Sequence, residues 1–271
     1  MKKTILITGS TDGLGLDTAK RLAAEGHQVL LHGRNFAKLE NAVKEVSKHT
    51  SEPVESYYAD LSRMDEVEAF ANAVIEKHAG IDVLINNAGI LKSPVSITQD
   101  GLDIRFVVNT LAPYILTKKL LPLFAVSGRV INLSSAAQSP VNLEVLEGRV
   151  KSSDDLETYA QSKLALTMWS RVLASSLKNH GPVIIAVNPG SLLATKMVQE
   201  GFGMAGNRIQ IGTDILIRAA LSDEFASASG KYFDNDSGQF TSPHSDALDA
   251  QKTEKVMQAI ESLVSEFMQA D

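Results

Sequence analysis

The chain has 271 residues, 44% apolar and 21% charged, an ordinary globular composition that excludes disordered, collagenous and coiled-coil chains. It contains no cysteine, which removes disulfides, thiolate metal sites and cysteine nucleophiles, and its net charge of −6 argues against a nucleic-acid partner. No apolar run approaches the ~20 residues that span a bilayer, so a cytoplasmic chain with no membrane partner is expected.

From the N-terminus, a lysine pair leads into a short apolar run, Thr4 to Ile7, that stops at Thr8-Gly9. That is too short for a signal-peptide core and reads as a buried strand. Further runs follow at Val29 to Leu31, Val54 to Ala59, Val83 to Ile85, Val130 to Leu133 and Val183 to Val187, with a weaker one around Lys231 to Phe233. Longer segments of helical character separate them. Continuous apolar runs fit strands buried on both faces, and their alternation with helices gives right-handed βαβ units. The pattern predicts an α/β fold: a single Rossmann-type doubly wound parallel sheet of about seven strands with helices on both faces. No repeat or linker divides the chain, so one domain over 1–271 is expected. The stretches 136–152 and 191–211 lack a clear period and follow strands, which puts them on the substrate side of the sheet. The segment 246–268 reads as a closing amphipathic helix.

The first strand runs into Thr8-Gly9-Ser10-Thr11-Asp12-Gly13-Leu14-Gly15, and a helix follows. Glycines let backbone N–H groups approach a pyrophosphate at a helix N-terminus. A tight turn for helix packing has the same look. The position of this turn, at the start of an α/β chain, favours nucleotide binding. Such sites place an acid that bonds the ribose 2′-OH about 20 residues further on. Here the second run ends in His32-Gly33-Arg34-Asn35, with no acid. A guanidinium at Arg34 suits a 2′-phosphate, so NADP is expected over NAD. A solvated surface arginine is the other reading.

Tyr159 and Lys163 stand one helical turn apart, on one face. A neighbouring ammonium stabilises phenolate and lowers the phenol's pKa from ~10, which makes the pair a candidate general acid/base. The spacing alone decides little, because Tyr114 and Lys118 repeat it. Context separates them. Tyr159 follows a strand ending in Asn132-Leu133-Ser134-Ser135, whose hydroxyls emerge at the ligand edge. The helix around Tyr114, bracketed by Pro113 and Pro122, reads as structural.

Taken in order, Thr8 to Gly15, Asp60-Leu61, Asn86 to Gly89, Asn109, Ser135, Tyr159 with Lys163, and Pro189-Gly190 resemble the motif series of the classical short-chain dehydrogenase/reductase family along nearly the whole chain. The resemblance implies catalytic roles for Asn109, Ser135, Tyr159 and Lys163. Tyr159 would be the acid that protonates a carbonyl, or the base in reverse. Lys163 would lower its pKa and hold the nicotinamide ribose, Ser135 would orient the substrate carbonyl, and Asn109 would support a water relay behind the lysine. It implies cofactor contacts from Gly9, Ser10, Thr11, Gly13, Leu14, Gly15 and Arg34. Asp60 and Leu61 would lie at the adenine, Asn87, Ala88 and Gly89 at the ribose, and Pro189 and Gly190 at the nicotinamide, with Tyr159 and Lys163 also touching the cofactor. Asn86 reads as a structural amide between strands, and Asp60 alternatively as a helix cap.

Two departures stand out. The interval from Ser135 to Tyr159 is long, as in retinol-dehydrogenase-like members, so 136–152 is an insertion, either a pocket cover or surface decoration. Thr195 falls one residue later than the threonine the family places after Pro-Gly, which leaves its cofactor contact open. Met197, Val198, Phe202, Met204 and Ile209, interleaved with glycines, suggest a mobile lid over a partly apolar substrate. The six histidines have no metal-ligand spacing, and no metal is expected. The expected activity is hydride transfer between NADP and a carbonyl or secondary alcohol of a small substrate. Reduction of an activated C=C bond and a non-catalytic NADP-binding regulator are the alternatives. A homodimer or homotetramer is the assembly the resemblance suggests.

Overall fold

Strands without polar residues on either face are stable only between other strands and beneath two layers of helices. That is how the apolar runs are placed in the computed structural model of the protein, which describes residues 1–178 and 180–268; the side chains of Phe202 and Met268 lie outside that description. The strands are β1 (Thr4–Ile7), β2 (Gln28–Gly33), β3 (Glu55–Tyr58), β4 (Val83–Asn86), β5 (Arg129–Leu133), β6 (Val183–Asn188), β7 (Tyr232–Asp234) and β8 (Gln239–Thr241). They form one sheet in the order β3-β2-β1-β4-β5-β6-β7-β8. All pairs are parallel except β7–β8. The winding direction reverses at β1, which has β2 on one side and β4 on the other, so a crevice opens beyond their carboxyl ends.

The main helices are α1 (Gly13–Ala24), α2 (Phe36–Ser47), α3 (Met64–Lys77), α4 (Ile104–Phe106), α5 (Ala112–Leu120), α6 (Leu143–Leu146), α7 (Asp155–Leu177), α8 (Lys196–Phe202), α9 (Gln210–Leu221) and α10 (Ala250–Met268). A π-turn, Val107–Leu111, joins α4 to α5. Alternate strand residues divide the core in two, as the period of a strand requires. Leu6, Leu30, Leu84, Val130 and Ile184 face α3, α5, α7 and α10. Ile5, Ile7, Leu31, Ile85, Ile131 and Ile185 face α1, α2 and α9. No helix among the described residues is long and apolar enough to cross a membrane.

The sheet has eight strands rather than about seven. The added β8 is three residues long and returns antiparallel beside β7 after a turn at Gly238, so it carries no apolar run to betray it. The run at Val54 to Ala59 shortens to β3, whose residues alternate between half-buried and exposed because it is the outer strand. The insertion is neither a pocket cover nor surface decoration. Its α6, capped by Asn142, buries Val145 and Leu146 in the core layer that α10 closes, and only Ala136 and Ala137 reach the crevice. In 191–211, Met197 and Val198 on α8 line the crevice. Met204 is exposed and Ile209 packs against the core beneath α9; the side chain of Phe202 is outside the described residues. The closing helix begins at Ala250, after a 3-10 turn at Ser245–Leu248, and buries Val256, Met257, Ile260, Leu263 and Val264.

Candidate active site

A cleft of ≈ 570 Å³ runs along the carboxyl ends of the strands, from Arg34 and Asp60 at one end to Ser135, Tyr159 and Lys163 at the other. Its floor is the turn between β1 and α1. Gly9 has φ +62, a conformation that side chains disfavour. A Cβ on Gly15 would lie 2.4 Å from the Gly9 carbonyl and 2.5 Å from the Asn87 amide nitrogen. The turn therefore exists only as glycine. Its shape is held from behind: the Asn87 amide donates to the carbonyls of Thr8 and Gly9 (2.9 and 3.0 Å), and Thr8 Oγ1 accepts from Ala88 N (3.0 Å). Backbone can thus come close to a pyrophosphate here, and the cradle fits a dinucleotide.

His32 is a brace that the sequence did not single out. Its Nδ1 accepts from Gly9 N (3.0 Å), which leaves Nε2 as the protonated nitrogen, donating to the Ala59 carbonyl (3.1 Å). The ring stacks on Phe70. Burial lowers its pKa to about 4, so it is neutral and keeps this tautomer. Ser10, expected to touch the cofactor, does not line the cleft. It is fully buried, and its hydroxyl accepts from His32 N (2.8 Å). Its part is to tie the turn to β2. Thr11, Gly13, Leu14 and Gly15 do line the cleft.

At the adenosine end Arg34 is exposed on the cleft rim, with no acid at the end of β2. Asp60 and Leu61 line the cleft beside it. The Asp60 carboxylate accepts from Ser62 N and Oγ (2.9 and 2.8 Å), capping its own turn; α3 begins later, after Arg63. Asn87, Ala88 and Gly89 line the middle. Asn86 is structural, its amide donating to Asn132 and Thr117 (2.7 and 3.2 Å).

At the other end β5 and α7 bring together the hydroxyl, phenol and ammonium. The two serines after β5 divide the work. Ser134 turns into the core and shares a hydrogen bond with Thr167 Oγ1 (2.7 Å). Ser135 lines the cleft, its carbonyl held by Gln138 Nε2 (2.9 Å) and by the phenol of Tyr232 on β7 (3.0 Å). Burial pushes the Tyr159 phenol up, and a hydrogen bond with Ser135 opposes it. Lys163 is buried, donates to the Leu133 carbonyl (2.7 Å), and sits 5.6 Å from the Tyr159 ring centroid. Desolvation lowers its pKa to about 8. Asn109, in the π-turn, stands behind the lysine rather than in the cleft. Its amide pairs with both the N–H and the carbonyl of Ile90 and donates to Ser162 Oγ (2.9 Å). Its side chain therefore holds the Asn87-to-Ile90 segment against α7. A Cβ on Gly89 would lie 3.4 Å from Lys163 Nζ and 3.5 Å from Asn109 Oδ1, so this segment is closely fitted to both.

Pro189 and Gly190 line the cleft beyond β6. The loop after them is clamped from β7–β8: Asn188 donates to Asp234 and Asp236 (2.8 and 2.9 Å), and Ser191 N donates to Asp236 (2.8 Å). Hydrogen bonds from Ser191 and Asn188 hold Asp236 below the ordinary carboxylate value, against the cost of burial. Leu192 adopts φ +52, which marks where the longer loop turns back before Thr195. Thr195 caps α8 and also lines the cleft, its methyl 3.7 Å from where a Cβ on Gly13 would lie. Leu91, Leu156, Leu192, Met197 and Val198 make the wall near Tyr159 apolar. Among the described residues no cluster of histidines and acids has the form of a metal site.

Residues 3–205 match the family model described as short chain dehydrogenase. Retinol dehydrogenase 13 of Mus musculus is 32% identical over 251 residues, which cover 86% of this chain and 75% of that protein. A structure described as a putative uncharacterized protein from Mycobacterium paratuberculosis superposes with a TM-score of 0.80 at 29% identity, covering 97% of this chain and 93% of that one. A short chain dehydrogenase from Shigella flexneri, solved complexed with NADP, gives 0.67 at 25% identity, covering 86% and 97%.

Proposed function

The chain belongs to the short-chain dehydrogenase family and is an oxidoreductase that binds a nicotinamide cofactor; we propose that it uses NADP and acts on the carbonyl or secondary alcohol of a small, partly apolar substrate. One observation carries this reading. A single cleft starts at an acid-free β2 end with Arg34 on its rim and finishes at Ser135, Tyr159 and Lys163. The nicotinamide, when bound, supplies or takes up the hydride.

The chain's own residues do the rest. The glycine turn receives the pyrophosphate through backbone N–H groups. Arg34 pairs with the 2′-phosphate, where a planar fork and a fixed charge suit a doubly charged oxygen cluster. Ser135 donates to the carbonyl oxygen and orients it. Tyr159 gives that oxygen its proton during reduction. Lys163 makes this possible at neutral pH, since an adjacent ammonium stabilises the phenolate left behind and offsets the effect of burial. Lys163 has one protein partner, the Leu133 carbonyl, which leaves donors for the cofactor ribose. Asn109 keeps the ribose-side segment seated on the lysine. The apolar wall of Leu91, Leu156, Leu192, Met197 and Val198 excludes water from the reacting carbon and fits the apolar part of the substrate. We read all of 1–271 as one nucleotide-binding unit, since both core layers belong to the same sheet.

The test is consumption of NADPH and NADH by purified protein over aldehydes, ketones, quinones and enones. Turnover with NADPH on carbonyl substrates, lost in Tyr159→Phe, is expected. A preference for NADH would remove the role of Arg34, and turnover confined to enones would move the reaction to a C=C bond.

A further inference from the structure

Arg105 is 2% exposed, and neither the motif series nor the proposed chemistry uses it. Its guanidinium makes a fork with both oxygens of Asp103, Nε at 2.8 Å and the terminal nitrogen at 2.6 Å. Asp103 is equally buried, and the same carboxylate caps α4 by accepting from Arg105 N (2.9 Å). The other terminal nitrogen pairs with Asp155, the first residue of α7.

The placement of these partners gives the cluster its meaning. Arg105 stands one helical turn before Asn109, at the entry to the π-turn, and Asp155 stands one turn before Tyr159. A second tie joins the same two elements, one turn further along from Arg105 and two turns further along α7. There Asn109 donates to Ser162 Oγ (2.9 Å) and Thr110 Oγ1 donates to the Ser162 carbonyl (2.9 Å). Tyr159 lies between the two ties and Lys163 directly after the second. Two fixed points set both the depth and the rotation of a helix; one point sets neither. The inserted segment, which ends just before α7, leans on the same corner. A Cβ on its Gly148 would lie 2.8 Å from the Gly101 carbonyl, two residues before Asp103.

We infer that Arg105 is a positioning residue for the proposed site, fixing the N-terminal turn of α7 against the Asn109 segment so that the Tyr159 phenol meets Ser135 and Lys163. This rests on the reading of Tyr159 as the proton donor. The demand for arginine follows from geometry. Only a planar guanidinium makes a two-pronged bond to one carboxylate and still reaches a second, whereas an ammonium holds one of them as a point charge. Removing one partner of a buried pair leaves the other charge without compensation, which is costly enough to move the helix end.

The experiment reads the phenol rather than turnover. The tyrosinate absorbance of the protein with NADP⁺ bound is titrated with pH, and the same titration of Tyr159→Phe is subtracted to isolate Tyr159. It is repeated in Arg105→Lys, which conserves every charge, and in Asp155→Asn, whose side chain is half-exposed and leaves Arg105 paired with Asp103. Thermal melting and NADP⁺ affinity are measured alongside. In both variants the phenol–phenolate equilibrium should move about tenfold towards phenol, one unit of pKa, while NADP⁺ affinity stays within about twofold. The sign excludes a through-space effect, because removing the Asp155 charge by itself would favour phenolate. A Tyr159 titration identical to wild type in both variants would overturn the inference and leave Arg105 a purely structural ion pair. A wild-type Tyr159 that titrates like free tyrosine would instead overturn the reading of Tyr159, and the tie with it.

Discussion

The chain carries Tyr-x-x-x-Lys twice, and the two copies are nearly the same object locally. In each, the ammonium lies beside the ring one turn before it, at 5.9 Å for Lys118 over Tyr114 and 5.6 Å for Lys163 over Tyr159. What surrounds them differs. Tyr114 is buried against the edge of Trp169, and its hydroxyl donates to Glu261 on α10 (3.1 Å). Burial and that carboxylate both push its phenol up. Lys118 is exposed. Tyr159 instead faces the cleft beside Ser135, and Lys163 is buried with one backbone partner. A carboxylate beside a phenol disfavours the phenolate, whereas an ammonium beside it favours the phenolate. The helix supplies the spacing, and the neighbours from distant parts of the chain supply the chemistry.

The largest effect should separate the two tyrosines. Tyr159→Phe should lower kcat roughly 10²- to 10⁴-fold, the usual contribution of a placed general acid, with NADPH affinity kept. Tyr114→Phe should leave kcat unchanged. Equal losses in the two variants would erase the distinction.

Next in size is Arg34→Glu, which probes the far end of the cleft. It should raise the KM for NADPH roughly ten- to a hundredfold and improve NADH relative to NADPH, as loss of a charge-assisted contact requires. The Tyr159 titration should not move. A changed titration would show that the two ends of the cleft are not independent.

The desolvation of Lys163 is something that stability can read. Lys163 titrates at about 8 in the folded chain because it is desolvated, and at about 10.4 once unfolded. Between those values the unfolded chain holds a proton that the folded chain has released, so folding becomes more favourable as pH rises from about 8 to about 10.4. Below about 8 both states are protonated and the cost is constant. Melting temperatures of wild type and Lys163→Met, compared from pH 7 to 10, should show wild type gaining on the variant above pH 8.

The smallest effect concerns Tyr114. Losing its hydrogen bond to Glu261 should cost about 1 kcal/mol of stability, measured by denaturant unfolding. No loss would mean that this phenol is as free as an exposed one.

Much of this site could be read from the chain alone, for a physical reason. A glycine turn, a tyrosine and lysine one turn apart, and apolar runs for buried strands are local demands, so they leave local marks. Thr8 to Gly15 must be glycine-rich wherever backbone comes within reach of phosphate, and Arg34 is visible because an acid is missing beside it. The braces leave no such mark. His32 holds Gly9 across two strands, Asp236 holds Ser191 from the β7–β8 hairpin, and Tyr232 on β7 holds the Ser135 carbonyl after β5, two strands away. Each is an ordinary residue whose partner is distant in sequence. Ser10 misled for the converse reason: its place in the turn suggested a ligand contact, and only the packing of β2 turned its hydroxyl inward.

The sequence by itself therefore determined the layered α/β sheet, the glycine turn and the residue types of the candidate site, because periodicity and backbone sterics act over a few residues. The tertiary structure gave the two tyrosine–lysine pairs their different surroundings, Glu261 and Trp169 for Tyr114 and the cleft with Ser135 for Tyr159. It paired the Ser134 hydroxyl with Thr167, buried Val145 and Leu146 of the insertion in the core, and brought Arg105 to the head of α7. Those outcomes depend on desolvation and on contacts between residues far apart in the chain, and neither exists until the chain has folded.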